Sequence, residues 1–304
     1  MDHKLTEEQW EVLLKRIKVG KCTPFLGAGA CYGTLPLGSD IAKEWSEKRH
    51  YPLKDFSDLA RVAQFLAVTT GDGMFPKEDI LERLKDVPPP DFTKPEEPHG
   101  VLADLPLPVY ITTNYDDFMV QALKSRNKNP RQELCHWNDD IKKLLMGKPS
   151  VFKKSSGQPD IDANNPVVFH LHGHLGLAES LVLTEDDYLD FLVSISRNDD
   201  LIPPRIQESM TGTTLLFLGY KLADWDFRVL FRSMVNYLKK STSRSHVSVQ
   251  LITVGDVSSP EEVEKAQKYL DRYFDKHEIH MYWGSCSDFA AELRKRWEAS
   301  GYGQ

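Results

Sequence analysis

Apolar runs of strand length alternate along this chain with segments that carry apolar residues at helical spacing. The strand-like runs cover 22–26, 108–112, 166–171, 214–218, 247–254 and 278–283. Helical spacing fills 6–20, 185–196, 224–239, 260–276 and 289–297. Because alternating strands and helices build parallel βαβ units, the pattern predicts an α/β fold with a Rossmann-like, doubly wound and mainly parallel sheet.

Two of the predicted helices begin with a capping signature. Thr6 with Gln9, and Thr184 with Asp187, have the spacing of a capping box, in which two side chains each accept a hydrogen bond from the other residue's backbone N–H. We therefore expect helices to start directly after Thr6 and Thr184.

Two insertions interrupt the alternation. The first, at about 39–98, is helical by the spacing of its apolar residues and ends near the prolines at 88–90. The second, at about 124–165, is basic and polar, with nine basic and three acidic residues between Lys124 and Lys154. We predict one domain over residues 1–304 that contains both insertions.

The overall charge limits the classes of partner. The 304 residues carry a formal net charge of −7, which gives no general attraction to nucleic acid or anionic lipid, and the basic insertion has few aromatic residues for base stacking. No apolar run approaches the roughly 20 residues that span a bilayer. We expect a cytoplasmic protein that binds no membrane and, through this domain, no nucleic acid.

The four cysteines, Cys22, Cys31, Cys135 and Cys286, are far apart and form no C-x-x-C pair. This spacing argues against a disulfide framework and against a structural zinc site. We expect reduced thiols that are mostly packed in the interior.

Small residues follow two of the predicted strands. Gly27, Ala28, Gly29 and Ala30 come after the first strand, and Gly219-Tyr220 follows the strand at 214–218. Such turns let a backbone approach a pyrophosphate, although the first is also compatible with an ordinary tight turn. It lacks the lysine and hydroxyl of a P-loop, so a dinucleotide is a better candidate than a nucleoside triphosphate.

Polar residues follow the strand at 108–112 in the order Thr113-Asn114-Tyr115-Asp116. Open α/β sheets bind ligands at the carboxyl ends of their strands. If strand geometry continues, Asn114 and Asp116 point the same way into the cleft. The alternative is that the pair caps the next helix.

Three histidines alternate at the end of another strand: His170, His172 and His174. On a continuing strand they would share one face, as metal ligands sometimes do, but Gly173 interrupts the strand and no nearby cysteine or carboxylate completes a set. Each histidine could instead be structural, or one could act as a catalytic base, since a neutral imidazole accepts a proton at pH 7.

Taken in order, the motifs at 27–30, 113–116, 170–173 and 219–220 resemble those of the sirtuin superfamily, particularly its bacterial antiphage-defence branch. The resemblance implies that residues 27–29 approach the phosphates of NAD, that Asn114 and Asp116 position the nicotinamide ribose, and that His172 is the catalytic base. Gly219 and the turn Gly284-Ser285-Cys286 would contribute on the adenosine side. Ala30, Thr113 and Tyr220 belong to the same predicted binding set.

Two departures from the sirtuin pattern matter. Sirtuin deacetylases carry a four-cysteine zinc module, which this cysteine spacing cannot form, and Lys221 stands where many relatives have a small hydroxyl residue. The missing module favours hydrolysis of NAD over deacylation of a protein lysine. The role of Lys221 stays open.

The resemblance therefore implies an NAD glycohydrolase that cleaves NAD, its substrate, to nicotinamide and ADP-ribose without a metal ion, as a defence effector that depletes NAD. The alternatives are an NAD-dependent protein deacylase and a non-catalytic module that senses NAD or controls oligomerisation. The resemblance also implies a homo-oligomer, and an activator or sensor that could belong to a longer chain.

Overall fold

Parallel strands form the centre of the computed structural model, which describes residues 5–153, 159–220, 245–251, 259–276 and 278–302. The strands are β1 (Cys22–Leu26), β2 (Val109–Thr112), β3 (Arg131–Leu134), β4 (Val167–His170), β5 (Thr214–Leu218), β6 (His246–Gln250) and β7 (Ile279–Trp283). They form one sheet in the order β3-β4-β2-β1-β5-β6-β7, and each of these neighbouring pairs is parallel. The predicted Rossmann-like α/β fold is thereby confirmed.

Helices cover both faces of this sheet, which explains why β1 and β5 are mostly apolar and every residue in them is buried. The helices are α1 (Glu7–Lys18), α2 (Gly38–Arg49), α3 (Leu59–Thr70), α4 (Phe75–Leu84), α5 (Pro98–Asp104), α6 (Phe118–Ser125), α7 (Asp139–Leu144), α8 (Glu185–Arg197), α9 (Pro204–Gly212), α10 (Pro260–Asp275) and α11 (Cys286–Ala299). One apolar core unites α1, α5, α6 and α11, and a second unites α7 to α10. None of the described helices is long and apolar enough to cross a bilayer.

The first insertion builds a small apolar core of its own. Trp45, Leu66 and Ile80, from α2, α3 and α4, pack with Leu181 and Leu183, which precede α8. The insertion therefore rests on the segment between the histidine motif and α8.

Both capping-box predictions are confirmed. The Thr6 and Thr184 hydroxyls accept hydrogen bonds from the backbone of Gln9 and Asp187, whose side chains accept from the backbone of the two threonines. The elements that the sequence did not predict include β3 and α7, inside the basic insertion, and α5 and α9. The predicted helix at 224–239, and 252–254 of a predicted strand, lie outside the described residues.

The strand order places the topological switch point of the sheet at the carboxyl end of β1. β1 has β2 on one side and β5 on the other, with Leu26 paired to both Thr112 and Leu218. Connections that leave in opposite directions from neighbouring strands open a ligand-binding crevice in sheets of this kind. Gly27, Thr113 and Gly219 directly follow these paired residues.

Candidate functional site

The turns after β1 and β5 touch through their glycines. Gly219 has a φ of +81°, and a Cβ on it would lie 2.3 Å from the Ala30 nitrogen and 2.5 Å from the Gly27 oxygen. A Cβ on Gly29 would lie 2.9 Å from the Gly219 Cα. Glycine is therefore required here because two backbones pack against each other.

The hydrogen bonds of the first turn bear on its predicted phosphate role. Gly27 N–H donates to Leu218 O, Gly29 N–H to Gly219 O and Ala30 N–H to Gly27 O, at 2.8–2.9 Å. These donors serve the fold, while Ala28 is exposed. The ordinary-turn interpretation thus accounts for the glycines without a ligand, and phosphate binding by this turn stays a prediction.

Asn114 lies half-buried beside the same turn. Its Nδ2 donates to Gly27 O at 3.1 Å and to Cys31 Sγ at 3.2 Å, and its backbone N–H donates to Thr112 Oγ1 at 2.9 Å. These bonds fix the amide at the crevice before any ligand arrives, which is the preorganisation that a catalytic group needs.

Asp116 is buried and has two partners. Its Oδ1 accepts from the backbone N–H of Phe118, the first residue of α6, at 2.9 Å, and its Oδ2 accepts from Cys31 Sγ at 3.3 Å. The helix-capping alternative is therefore realised by Asp116. The Asn114 amide makes its bonds to the β1 turn instead.

Cys31 belongs to a buried polar group that sequence reasoning missed. Its Sγ lies 3.9 Å from His99 Nε2, and His99 Nδ1 lies 2.8 Å from Glu97 Oε1. Burial, with Asp116 nearby, raises the pKa of the Cys31 thiol well above its usual value, so the thiol stays protonated and can donate. One sequence signal pointed to this region: Glu97-Pro98 is an acidic residue followed by proline, which is typical of a helix start. In the structure Glu97 caps α5.

His172 is buried against an aromatic wall on α8. Its ring meets Tyr188 and Phe191 edge-on, with centroids 5.4 and 4.9 Å away, and Phe191 in turn meets Trp137 at 6.4 Å. Its Nε2 is buried and has no hydrogen-bond partner among the described residues. Burial lowers the pKa of His172 to about 3, so the ring is neutral at physiological pH.

A buried imidazole nitrogen that lacks a partner is costly, and such groups mark sites where a ligand or water completes the bond. The residue's position supports this interpretation. Thr112 and His170 pair in register, so Asn114 and His172 each lie two residues beyond the same pair. Asn114 and His172, two of the three predicted catalytic residues, thus occupy equivalent places beyond the ends of adjacent strands.

The three histidines do not share one face. The His170 and His174 rings contact each other, with centroids 4.8 Å apart, whereas His172 packs on α8. The reason is that β4 ends at His170 and Gly173 turns the chain with a φ of +95°.

A carboxylate lies near two of these histidines. Asp117, His170 and His174 bring ligand atoms within 4.8 Å of one another, as do Cys31, His99 and Asp116. In the first group, however, His174 Nδ1 accepts from Gly176 N–H at 2.9 Å and His174 Nε2 lies 2.9 Å from Asp117 Oδ1. A neutral His174 therefore carries its proton on Nε2, and the Asp117 carboxylate accepts it.

Tyr220 closes the crevice from the side of β5. Its ring packs on Phe25, its hydroxyl donates to Leu26 O at 2.7 Å, and Thr113 Oγ1 lies 2.9 Å from that hydroxyl. Two predicted binding residues are thus brought together. Both use their hydroxyl groups in contacts within the protein.

The predicted turn 284–286 also reaches the junction. The Cys286 thiol contacts the Gly219 backbone, and burial raises its pKa to about 12. Ser285 caps α11: its hydroxyl accepts from Asp288 N–H at 3.0 Å. All four cysteines are free, and three are buried, as expected.

Comparison with known proteins supports the predicted family. The model of the SIR2-like domain matches residues 108–278, which is more than half of the chain. A protein named NAD(+) hydrolase ThsA from Cytobacillus dafuensis is 27% identical over 77% of this chain, and its namesake from Enterococcus faecium is 24% identical over 79%. A third, from Acinetobacter baumannii (strain 532279), is 22% identical over 93%.

This chain spans about half the length of these relatives: the matches cover 42%, 46% and 55% of them. A solved structure described as "Structural Basis for the Mechanism and Regulation of Sir2 Enzymes" aligns with 97% of this chain and 99% of its own, at 12% identity and a TM-score of 0.35. The family model covers the strand ends that carry Asn114, His172 and Gly219, and the chain belongs to the SIR2-like domain family.

Proposed function

We propose that this chain hydrolyses NAD to nicotinamide and ADP-ribose. The observation that carries the proposal is the buried His172 Nε2 without a described partner, on the strand adjacent to the one that presents Asn114. The relatives named NAD(+) hydrolase support the choice of substrate.

Cleavage of the nicotinamide–ribose bond builds positive charge on the ribose, so the site must hold the sugar and a water molecule in line. We assign the ribose and water to Asn114, whose amide is held by Gly27 and Cys31. Asp116 supplies negative charge close by. Neutral His172 accepts a hydrogen bond or a proton at Nε2, the atom that its own surroundings leave unpaired.

Purified protein incubated with NAD over a range of protein concentrations, with nicotinamide and ADP-ribose measured by chromatography, tests the proposal. We expect wild type to form both products in equal amounts and Asn114→Ala and His172→Ala to lose most of the activity. Asn129→Ala is a matched control, because Asn129 precedes the amino end of β3, opposite the carboxyl ends of the strands, and its side-chain amide donates to Asn165 Oδ1 at 3.4 Å. Equal activity in all four proteins would exclude this site.

The same assay separates the alternatives. A deacylase would release nicotinamide only when an acetyl-lysine peptide is added, whereas a sensor would bind NAD and form no product at any concentration.

We further propose that the activity depletes NAD in defence, in the cytoplasm and as a homo-oligomer under an activator. An activity that rises more steeply than protein concentration supports self-association, and a constant specific activity contradicts it.

A further inference from the structure

The Leu26 carbonyl, the last of β1, collects hydrogen bonds from two neighbouring chain segments. It accepts from Thr113 N–H at 2.9 Å and from the Tyr220 hydroxyl at 2.7 Å. Thr112 Oγ1 also lies within 3.3 Å of it. The ends of β1 and β2 and the turn after β5 are thus joined at one atom.

Thr113 Oγ1 lies 2.9 Å from the Tyr220 hydroxyl oxygen and 3.4 Å from Leu26 O. We assign the single tyrosine hydroxyl proton to its shorter contact, Leu26 O at 2.7 Å, and the threonine proton to the Tyr220 oxygen. Burial raises the pKa of Tyr220 well above its usual range, which keeps the hydroxyl protonated. Tyr220 therefore holds Thr113 through its oxygen and Leu26 through its proton.

Thr113 immediately precedes Asn114, and the Asn114 amide donates to the oxygen of Gly27, the residue after Leu26. The Tyr220 ring also lies over this point, since a Cβ on Gly27 would be 2.8 Å from Tyr220 Cε1. Tyr220 thus contacts Thr113, which precedes Asn114 in the chain, and packs over Gly27, whose oxygen accepts from the Asn114 amide.

We infer that Tyr220 is a positioning residue for Asn114 and not a contact for the dinucleotide: its hydroxyl bridges Leu26 and Thr113 across the crevice and fixes the orientation of the Asn114 amide. The inference rests on the proposed hydrolysis of NAD for its kinetic consequence. Its structural content, the restraint of Asn114, does not depend on the substrate.

Tyr220→Phe removes the hydroxyl and keeps the ring. Tyr110→Phe is the matched control, because Tyr110 is fully buried on β2 and its hydroxyl likewise donates to a backbone carbonyl, that of Leu102 at 3.1 Å. We expect both variants to lose a similar small amount of Tm. Only Tyr220→Phe should lower kcat, between about 10-fold and 100-fold as for a misplaced catalytic group, with KM nearly unchanged.

A readout independent of turnover is the Asn114 side-chain NH2 resonance pair in a 15N-labelled protein. We expect two separate, slowly exchanging signals in wild type and in Tyr110→Phe, and faster hydrogen exchange in Tyr220→Phe. Unchanged exchange and kcat in Tyr220→Phe would overturn the inference, and so would a raised KM at constant kcat, which marks a ligand contact. A wild type that leaves NAD intact contradicts the proposed function alone, because the NMR comparison still decides the role of Tyr220.

Discussion

At the scale of single residues, Cys31 joins the two polar residues of the Asn114–Asp116 motif. Its thiol accepts from the Asn114 amide at 3.2 Å and donates to the Asp116 carboxylate at 3.3 Å. The Cys31 sulfur therefore links the Asn114 amide, which we assign to the ribose, to the Asp116 carboxylate.

Cys31→Ala removes both contacts, so we expect kcat for NAD hydrolysis to fall between about 10-fold and 100-fold. Cys31→Ser keeps a donor and an acceptor and should retain most of the activity. Cys22→Ala is the control, since Cys22 is equally buried in β1 but away from the crevice. Steady-state kinetics of the three variants check this, and an active Cys31→Ala would refute it.

The buried His172 has a consequence for stability in acid. The unfolded chain binds a proton at this ring below its ordinary pKa of 6.5, whereas the folded chain binds it only near 3, so stability falls as the pH drops through this window. Urea unfolding from about pH 7 to about pH 4.5 should show a slope that is shallower by about 1 kcal/mol per pH unit in His172→Asn than in wild type.

His50→Asn is the control for this titration. His50 is exposed and has a φ of 55°, a conformation that asparagine tolerates. We expect its pH slope to equal that of wild type. Parallel slopes in all three proteins would show that His172 titrates normally in the folded state.

The sequence alone predicts the location of residues that directly follow a recognisable strand. Asn114 and His172 each follow a strongly apolar strand, so their location at the carboxyl edge of the sheet was predictable. The partners of Asn114 and Asp116 were not, because Cys31 is 83 and 85 residues away from them and only the folded chain brings them together.

At the scale of elements, the first turn of α8 is held by the helical insertion. Lys77 Nζ lies 2.7 Å from Asp187 Oδ1, Gln64 Nε2 lies 2.8 Å from Asp186 Oδ2, and Arg61 lies 3.4 Å from Glu185. Three consecutive acidic residues of α8 are thus bound by α3 and α4. Since α8 carries the aromatic wall of His172, the insertion supports the site from outside.

The Lys77–Asp187 pair is the buried member of this set, with side chains only 8% and 13% exposed. Lys77→Met leaves the carboxylate without its cation, and we expect a loss of about 3–5 kcal/mol in the free energy of unfolding. Arg61→Met, on a side chain that is 51% exposed, should cost less than about 1 kcal/mol. Urea titration measures both, and equal losses would contradict the assignment.

Two of the elements that the sequence did not predict, β3 and α9, lack a clear hydrophobic period. β3 reads Arg-Gln-Glu-Leu, with no fully buried residue, because it lies at the edge of the sheet and is defined by its backbone pairing with β4. In α9, Ile206 and Met210 have helical spacing, but two apolar residues in a nine-residue segment are too few to distinguish a helix from a loop.

At the scale of the whole molecule, Gly219 joins the two halves of the sheet. Gly219→Ala adds a Cβ 2.3 Å from Ala30 N at a φ of +81°, so we expect a loss of over about 3 kcal/mol. Gly33→Ala is the control, with a φ of +87° and nothing within 4 Å, and should cost only about 1–2 kcal/mol. A difference of zero between their urea midpoints would mean that the turns do not touch.

The pairing of β1 with β5 also sets an order of assembly. The hydrogen bonds from Thr213 to Thr23 and from Tyr220 to Leu26 join residues 190 and 194 positions apart. Contacts between such distant segments close late, because a long loop must be ordered before they form. During synthesis on the ribosome, a chain that already contains Asn114 and His172 still lacks β5 and Tyr220, which close the crevice from the other side. The crevice is therefore complete only after residue 220 has been synthesised, and shorter chains carry Asn114 and His172, the proposed catalytic residues, without Tyr220.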